Sequence, residues 1–230
     1  MNSILSNSIF FGVVITFLGF EIGLLVHKKF KIALFTPLLV ATIFIIGVLL
    51  IFDIEYETYY QGAKYISFFL TPATVSLAIP LYRQLDLLKK HPVAILGGVL
   101  AGVVTALVSI FVMSLMFGLN HEQYVTLLPK SITTAIGMGV SEKMGGIVAL
   151  TVVAIAVTGI TGNVLAQAVL KITGIKDPIA QGLAIGTSAH ALGTTKAMEM
   201  GEIQGAMSSL AIVVAGILTV LFAGIFVNFV

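Results

Sequence analysis

Several stretches of this chain contain no Asp, Glu, Lys or Arg, and four of them exceed 20 residues, long enough to cross a lipid bilayer as a helix. They are residues 32–52, 93–120, 144–170 and 203–230, and the hydrocarbon core requires about 20 residues. Soluble domains carry roughly a quarter charged residues, whereas this chain carries 10% and has a mean hydropathy of +1.12. The sequence therefore predicts an all-α membrane protein, a multi-spanning helical bundle.

The whole chain, residues 1–230, is predicted to form a single transmembrane domain with about six to eight crossings. The first apolar run ends near Val26 and is interpreted as a retained span, because it lacks the basic start of a cleaved signal. Lys28 and Lys29 follow it. Since basic loops stay in the cytoplasm, the N-terminus is expected outside.

Several function classes are excluded or disfavoured by composition. The chain has no cysteine, which excludes disulfides, zinc fingers and thiol catalysis, and its net charge of +2 is too small to indicate nucleic-acid binding. It contains no HExxH, GxSxG or Walker pattern. We expect no enzymatic activity, no cofactor and no metal site.

One polar cluster interrupts an apolar segment at Pro129. Lys130, Ser131, Thr133 and Thr134 follow the proline, which cannot continue a helix. The start of a helix after such a break attracts anions, and these side chains would add donors and a positive charge. Alternatively, Lys130 reaches the surface and the hydroxyls bond to their own helix. Residues 124–143 are expected to be either a re-entrant hairpin or a crossing, and the sequence leaves both open.

A second polar cluster extends from Gly186 to Thr194 and contains Thr187, Ser188 and His190. If it is helical, Thr187, His190 and Thr194 share one face, while the glycines permit an unwound stretch. A buried histidine is often a packing residue; here it is favoured as a group that contacts the substrate. Discontinuous helices are predicted near Pro72 or Pro129 and near Gly186–Gly193.

A weak internal repeat connects Pro129 to an earlier break. A shift of 57 residues aligns the segment Thr71-Pro72-Ala73-Thr74 with Leu128-Pro129-Lys130-Ser131, and Gly102 with Gly159. The repeat units would be residues 66–119 and 124–171. Transporters built from repeats use such broken helices at their binding sites, so Thr71 and Thr74 join the candidate site residues.

Three other polar residues lie within apolar runs. Glu21 could couple transport to an ion, although pairing with His27 or Lys28 is favoured. Asn163 and Gln167 lie one turn apart in residues 145–170 and are interpreted as contacts to a neighbouring helix.

Nearly the whole chain resembles the LrgB/CidB family of bacterial inner-membrane proteins, which includes the membrane domain of the plastid glycolate/glycerate translocator. The motifs that carry the resemblance are Tyr56-x-x-Tyr59-x-x-Gly62, Pro72-Ala73-Thr74, Ala78-Ile79-Pro80-Leu81-Tyr82, Leu128-Pro129-Lys130-Ser131-Ile132-Thr133-Thr134, Ile175-x-Asp177-Pro178-Ile179-Ala180-x-Gly182-Leu183-Ala184, Gly186-Thr187-Ser188-x-His190-x-x-Gly193-Thr194 and Glu199-x-Gly201-Glu202-x-x-Gly205-Ala206-x-Ser208-Ser209. It implies a multi-pass protein of the bacterial plasma membrane.

The resemblance implies two functions. Some members are similar to carriers of small carboxylates such as pyruvate, glycolate or lactate, and broken helices with buried donors favour this function, with proton coupling through His190. Bacterial members are also called antiholin-like and are tied to murein hydrolases and autolysis, beside a small LrgA/CidA-type membrane partner. A homo-oligomer is expected in either case.

Overall fold

The computed structural model describes residues 9–30, 35, 37–69, 72, 75, 82 and 85–230. Its regular structure is helical, and no strand occurs among these residues, so the predicted all-α class is confirmed. Two compact units divide the chain, Met1–Ala73 and Thr74–Val230. Four described helices have the length and composition of membrane spans: Phe10–Phe30, Pro92–Phe117, Val148–Ile172 and Glu202–Phe229.

The described residues of the first unit form three helices: α1 (Ile9–Phe30), α2 (Pro37–Ile51) and α3 (Tyr56–Phe68). Glycines of α1 allow close packing, because a methyl group on Gly12 would lie 2.6 Å from the backbone nitrogen of Ala63 in α3. Glu21 is exposed on α1. The favoured ion pair of Glu21 is absent from the described residues, where His27 instead contacts the Phe35 carbonyl oxygen at 2.9 Å.

The second unit carries both described polar clusters. From residue 85 onward its helices are α4 (Leu85–Lys90), α5 (Pro92–Phe117), α6 (His121–Leu127), α7 (Thr134–Lys143), α8 (Val148–Ile172), α9 (Pro178–Met200) and α10 (Glu202–Phe226), and a 3-10 turn (Val227–Phe229) follows. The long helices α5, α8 and α10 alternate with two shorter broken segments, as the positions of the prolines and glycines predict.

The first broken segment, α6 and α7, is a re-entrant hairpin. Its turn contains Pro129. Thr126, which precedes the turn, contacts residues that come well after it, and these contacts show that the two arms lie side by side. The backbone N–H of Ile147 donates to Thr126 Oγ1 at 2.8 Å, and the Thr151 hydroxyl contacts the Thr126 carbonyl oxygen at 2.8 Å and Ser141 Oγ at 2.7 Å. Helix α7 has 10 residues and is about 15 Å long, half of the hydrocarbon core. The alternative of a full crossing is therefore wrong.

The second broken segment, α9, reverses direction at His190, which has φ 42° and ψ −140°. A methyl group on Gly193 would lie 3.0 Å from Ile185 Cγ2 and 3.3 Å from the Ile185 carbonyl oxygen. In a continuous helix, residues eight positions apart are separated by about 12 Å. The predicted break within Gly186–Gly193 is confirmed. The shared helical face of Thr187, His190 and Thr194 does not form, because Thr187 precedes the reversal and Thr194 follows it.

The two hairpins enter the second unit from opposite ends. Tyr124 of the first hairpin (residues 121–143) donates from its hydroxyl to the carbonyl oxygen of Phe226, at the C-terminal end of α10, at 2.9 Å. Gln181 of the second hairpin (residues 178–200) instead accepts from the Gln204 side chain, near the start of α10, at 3.1 Å. Both hairpins therefore point from their own end towards the middle of α8 and α10.

Two glycines on the long helices accommodate the second hairpin. A methyl group on Gly102 of α5 would lie 2.5 Å from Thr187 Cγ2, and one on Gly159 of α8 would lie 2.6 Å from His190 Cε1. These are the two glycines that the 57-residue shift aligns. The broken segment of the first predicted repeat unit, with Thr71 and Thr74, lies outside the described residues.

Candidate functional site

His190 occupies the tip of the second hairpin and is 3% exposed. Its Nε2 lies 3.0 Å from the carbonyl oxygen of Ile155 in α8. A carbonyl can only accept, so Nε2 carries the hydrogen and Nδ1 is left for a second interaction. A non-glycine residue at positive φ costs about 1–3 kcal/mol and persists where the surroundings hold it. The bond to Ile155 and the contact with Gly159 are part of what holds it.

A network of side chains satisfies the backbone around this reversal. Thr194 Oγ1 donates to the His190 carbonyl oxygen at 3.0 Å and lies 2.6 Å from Ser208 Oγ of α10. Asn163 of α8 donates from Nδ2 to the Leu192 carbonyl oxygen at 2.7 Å. The interpretation of Asn163 as a contact to a neighbouring helix is confirmed. The tip is thus fixed between α8 and α10.

Two hydroxyl groups in or beside the tips have no hydrogen-bond partner. Thr133 precedes the first residue of α7, yet its side chain makes no capping bond, and Thr187 is packed against Gly102. Among the described residues, only Ser114 also has a buried side-chain polar atom without a partner. Burying an unpaired hydroxyl costs about 1–3 kcal/mol. Two such groups at the broken segments are suited to a ligand that accepts hydrogen bonds.

The tip of the first hairpin also carries a positive charge. Lys130 is half-buried and donates from Nζ to Ser131 Oγ at 3.2 Å, while Ser131 itself is buried. No ion pair involves Lys130 in the part of the chain that the structure describes. Thr134 is the first residue of α7, whose N-terminal end favours an anion through its free N–H groups and its dipole.

Ile155 contacts both hairpins. Its carbonyl oxygen accepts from His190, and its Cδ1 would lie 2.5 Å from a methyl group on Gly137 of α7. A protonated His190 would add a second positive charge to that of Lys130, and like charges repel each other. An anion bound between the two tips would relieve that repulsion.

Ser188 is the candidate that the structure does not bring to this site. Its side chain is exposed, and its hydroxyl donates to the Ala184 carbonyl oxygen of its own helix at 2.7 Å. Local bonds of this kind are common for serine in helices. The other described candidates lie in or beside the two tips: Lys130, Ser131, Thr133 and Thr134 in the first hairpin, and Thr187, His190 and Thr194 in the second.

The comparisons with known proteins agree on one family. The LrgB-like family profile matches residues 16–229. The chain is 40% identical, over 96% of its own length and 96% of theirs, to the proteins named "Antiholin-like protein LrgB" of Bacillus cereus strains B4264 and AH187 and of Bacillus anthracis strain CDC 684 / NRRL 3495. This chain belongs to the LrgB-like family. No solved structure matches it.

The LrgB-like motifs around Pro129 and His190 form the two hairpin tips, so the resemblance and the geometry identify the same region. Three participants were missing from the candidate residues: Ile155, Gly159 and Ser208. Ser208 lies in the last family motif, and the 57-residue shift aligns Gly159 with Gly102. Both residues could therefore have been identified from the sequence. Ile155 contacts His190 through its backbone carbonyl, which any residue carries, so no sequence pattern could have identified it.

Proposed function

We propose that this protein transports small monocarboxylates of the pyruvate, glycolate or lactate type across the bacterial plasma membrane, coupled to a proton. The observation that carries the proposal is the pair of re-entrant hairpins that enter from opposite ends and converge on the middle of α8. Secondary transporters commonly bind their substrate near the bilayer midplane, between broken helices. Two hairpins that enter from opposite ends suit alternating access better than a purely structural role.

The groups at the tips suit a carboxylate. An ionised carboxylate only accepts hydrogen bonds, and the tips offer the unpaired hydroxyls of Thr133 and Thr187. Lys130 would supply the balancing charge, and the N-terminal end of α7 adds a positive dipole. Substitution of Lys130 or Ser131 is therefore expected to abolish flux before it abolishes folding.

The tautomer of His190 supports proton coupling for a carboxylate that binds at its Nδ1. Its Nε2–H donates to the Ile155 carbonyl, so in the neutral ring Nδ1 is only an acceptor. An acceptor cannot hydrogen-bond to a carboxylate unless one of the two carries a proton. Histidine titrates near working pH. A proton at Nδ1, or on the substrate, therefore accompanies each bound carboxylate.

The charge pattern supports an orientation for the second unit. Lys89 and Lys90 precede α5, and Lys171 ends α8. These ends lie together. A methyl group on Gly98, near the start of α5, would lie 3.5 Å from Leu183 Cδ1 in the first arm of α9. The same arm lines a pocket with Lys171 at the end of α8. Basic residues stay cytoplasmic, so the base of the second hairpin would face the cytoplasm. An N-terminus outside and assembly as a homo-oligomer complete the proposal.

Uptake of labelled pyruvate, glycolate and lactate into proteoliposomes that contain only this protein tests the proposal. A pH gradient that is acidic on the substrate side should raise the uptake. Thr133→Val and Thr187→Val should each reduce it, whereas Thr173→Val should not. Thr173 is exposed and donates to the Val169 carbonyl oxygen at the end of α8. Absence of both binding and uptake for all three acids would contradict the proposal.

A second candidate function is antiholin-like control of murein hydrolases and autolysis, together with a small LrgA/CidA-like membrane protein. It is favoured by the names of the relatives, which are antiholin-like proteins. The two functions are compatible, since carboxylate flux can alter the conditions under which cells lyse. A Thr133→Val/Thr187→Val variant that loses uptake but keeps its effect on autolysis would separate the two functions.

A further inference from the structure

A groove and a pocket join on the outer side of the second hairpin. The groove has a volume of about 240 Å³ and lies between α8 and the first arm of α9. The pocket has a volume of about 250 Å³ and lies where α8 ends and α9 begins. Leu170 lines both cavities. They therefore adjoin at Leu170, and the two together are called the depression below.

The two parts of this depression differ in chemistry. Small and aliphatic side chains dominate the groove, including Leu165, Val169 and Ala184. The pocket is lined by Lys171, Lys176, Gln167 and Gln181. One end is thus apolar and the other is basic and rich in hydrogen-bond donors.

The two lysines have no carboxylate partner in the described part of the chain. The ion pair found there joins Lys196 to Glu199 at 2.8 Å. Asp177, the acidic residue beside Lys176, instead accepts from the backbone N–H of Ala180 at 2.9 Å and does not line the pocket. The pocket therefore keeps a positive charge that an anion can balance.

We infer that this depression binds an anionic phospholipid, with its phosphate group in the basic pocket and an acyl chain in the groove. Basic pockets between membrane helices on the cytoplasmic side are typical binding sites for anionic headgroups. Along α8, the groove extends from Thr161 to Leu170, about 13.5 Å at 1.5 Å per residue. That length covers most of one leaflet, about half of a 30 Å core.

The apolar end of the groove reaches the tip of the second hairpin. Ala189 lines the groove, directly precedes His190 and packs against Gly162 of α8. An acyl chain in the groove would contact the outer side of the hairpin next to the reversal. The lipid is therefore placed to stabilise the second hairpin against α8.

Fluorescence quenching by brominated lipids tests this site without measuring transport. The chain contains no tryptophan, so Val169→Trp places a single reporter in the groove, where Val169 is 49% exposed. A matched reporter is Leu150→Trp, which is 52% exposed at the other end of α8. Each variant is reconstituted with brominated phosphatidylglycerol or brominated phosphatidylcholine in an otherwise identical bilayer.

At Val169→Trp, quenching should show that brominated phosphatidylglycerol binds about fivefold or more tightly than brominated phosphatidylcholine. A preference of this size is the effect of one to two lysines at a membrane surface. Leu150→Trp should show no preference. Adding Lys171→Gln and Lys176→Gln should remove the preference at Val169→Trp, whereas Lys143→Gln, exposed near the other end of α8, should keep it. Leu165→Trp serves as a second groove reporter if Val169→Trp does not fold. Equal quenching by both lipids, or a preference that survives loss of both lysines, would overturn the inference.

Discussion

Gly159→Ala is the substitution whose effect follows most directly from the structure. The added methyl group would lie 2.6 Å from Cε1 and 2.9 Å from Nε2 of His190. Carbon atoms in contact prefer about 3.5–4.0 Å, so the ring has to move by roughly 1 Å. The Nε2 bond to Ile155, now 3.0 Å, would then exceed the usual hydrogen-bond distance.

The expected loss of stability has two parts. Overpacking a dense site costs about 1–3 kcal/mol, and loss of the hydrogen bond costs about 0.5–1.5 kcal/mol. Replacing glycine by alanine within a helix returns up to about 1 kcal/mol. The net loss in the free energy of unfolding is therefore about 0.5–3.5 kcal/mol, with a middle value of about 2 kcal/mol. For a chain of this size, that lowers Tm by roughly 5 °C.

The assay compares Gly159→Ala with Gly97→Ala in the same detergent or bilayer. Gly97 lies in α5, and a methyl group added to it would have no other atom within 4 Å. Its substitution by alanine should therefore preserve or raise Tm. Thermal unfolding measures stability, and pyruvate uptake measures the site. Gly159→Ala should lower both.

A double-mutant cycle identifies the ring as the cause. In a His190→Ala background the imidazole is gone, so Gly159→Ala should cost much less than in the wild type, a coupling of about 1 kcal/mol or more. The reasoning is refuted if Gly159→Ala matches Gly97→Ala in Tm and uptake. It is also refuted if the cost is the same with and without His190.

Three further predictions concern the tips. Thr187→Val removes an unpaired hydroxyl, so thermal unfolding should show equal or higher stability while the pyruvate affinity falls roughly five- to tenfold; a loss of stability with unchanged affinity would contradict this. Thr194→Val leaves Ser208 Oγ and the His190 carbonyl without their partner and should lower the free energy of unfolding by about 1–3 kcal/mol. The control Ser109→Ala, on the exposed face of α5, should change it by no more than about 0.5 kcal/mol. His190→Gln keeps a donor for Ile155 but cannot titrate, so its uptake should lack the rise with falling pH that we expect of the wild type. Wild-type rates with unchanged pH dependence would make His190 only a packing residue.

The sequence predicted the parts of this fold that depend on local chemistry. Charge-free length predicted α5, α8 and α10, and Pro129 predicted the turn between α6 and α7, because proline cannot continue a helix. The choice between hairpin and crossing depended on contacts between distant residues, such as Thr126 with Thr151. Such contacts leave no local pattern, so both alternatives stayed open until the structure was known.

The position of the second reversal was predicted only as a range, and the residue that makes it is informative. Gly186 and Gly193 are nearby, and either would adopt a positive φ at little cost, yet the reversal occurs at His190. The histidine carries a backbone strain of about 1–3 kcal/mol that a glycine would largely avoid. Packing of the side chain alone would do little to offset that strain energy. The same reversal brings the imidazole to the Ile155 carbonyl oxygen in α8 and leaves Nδ1 for the interaction that the proposed function assigns to it.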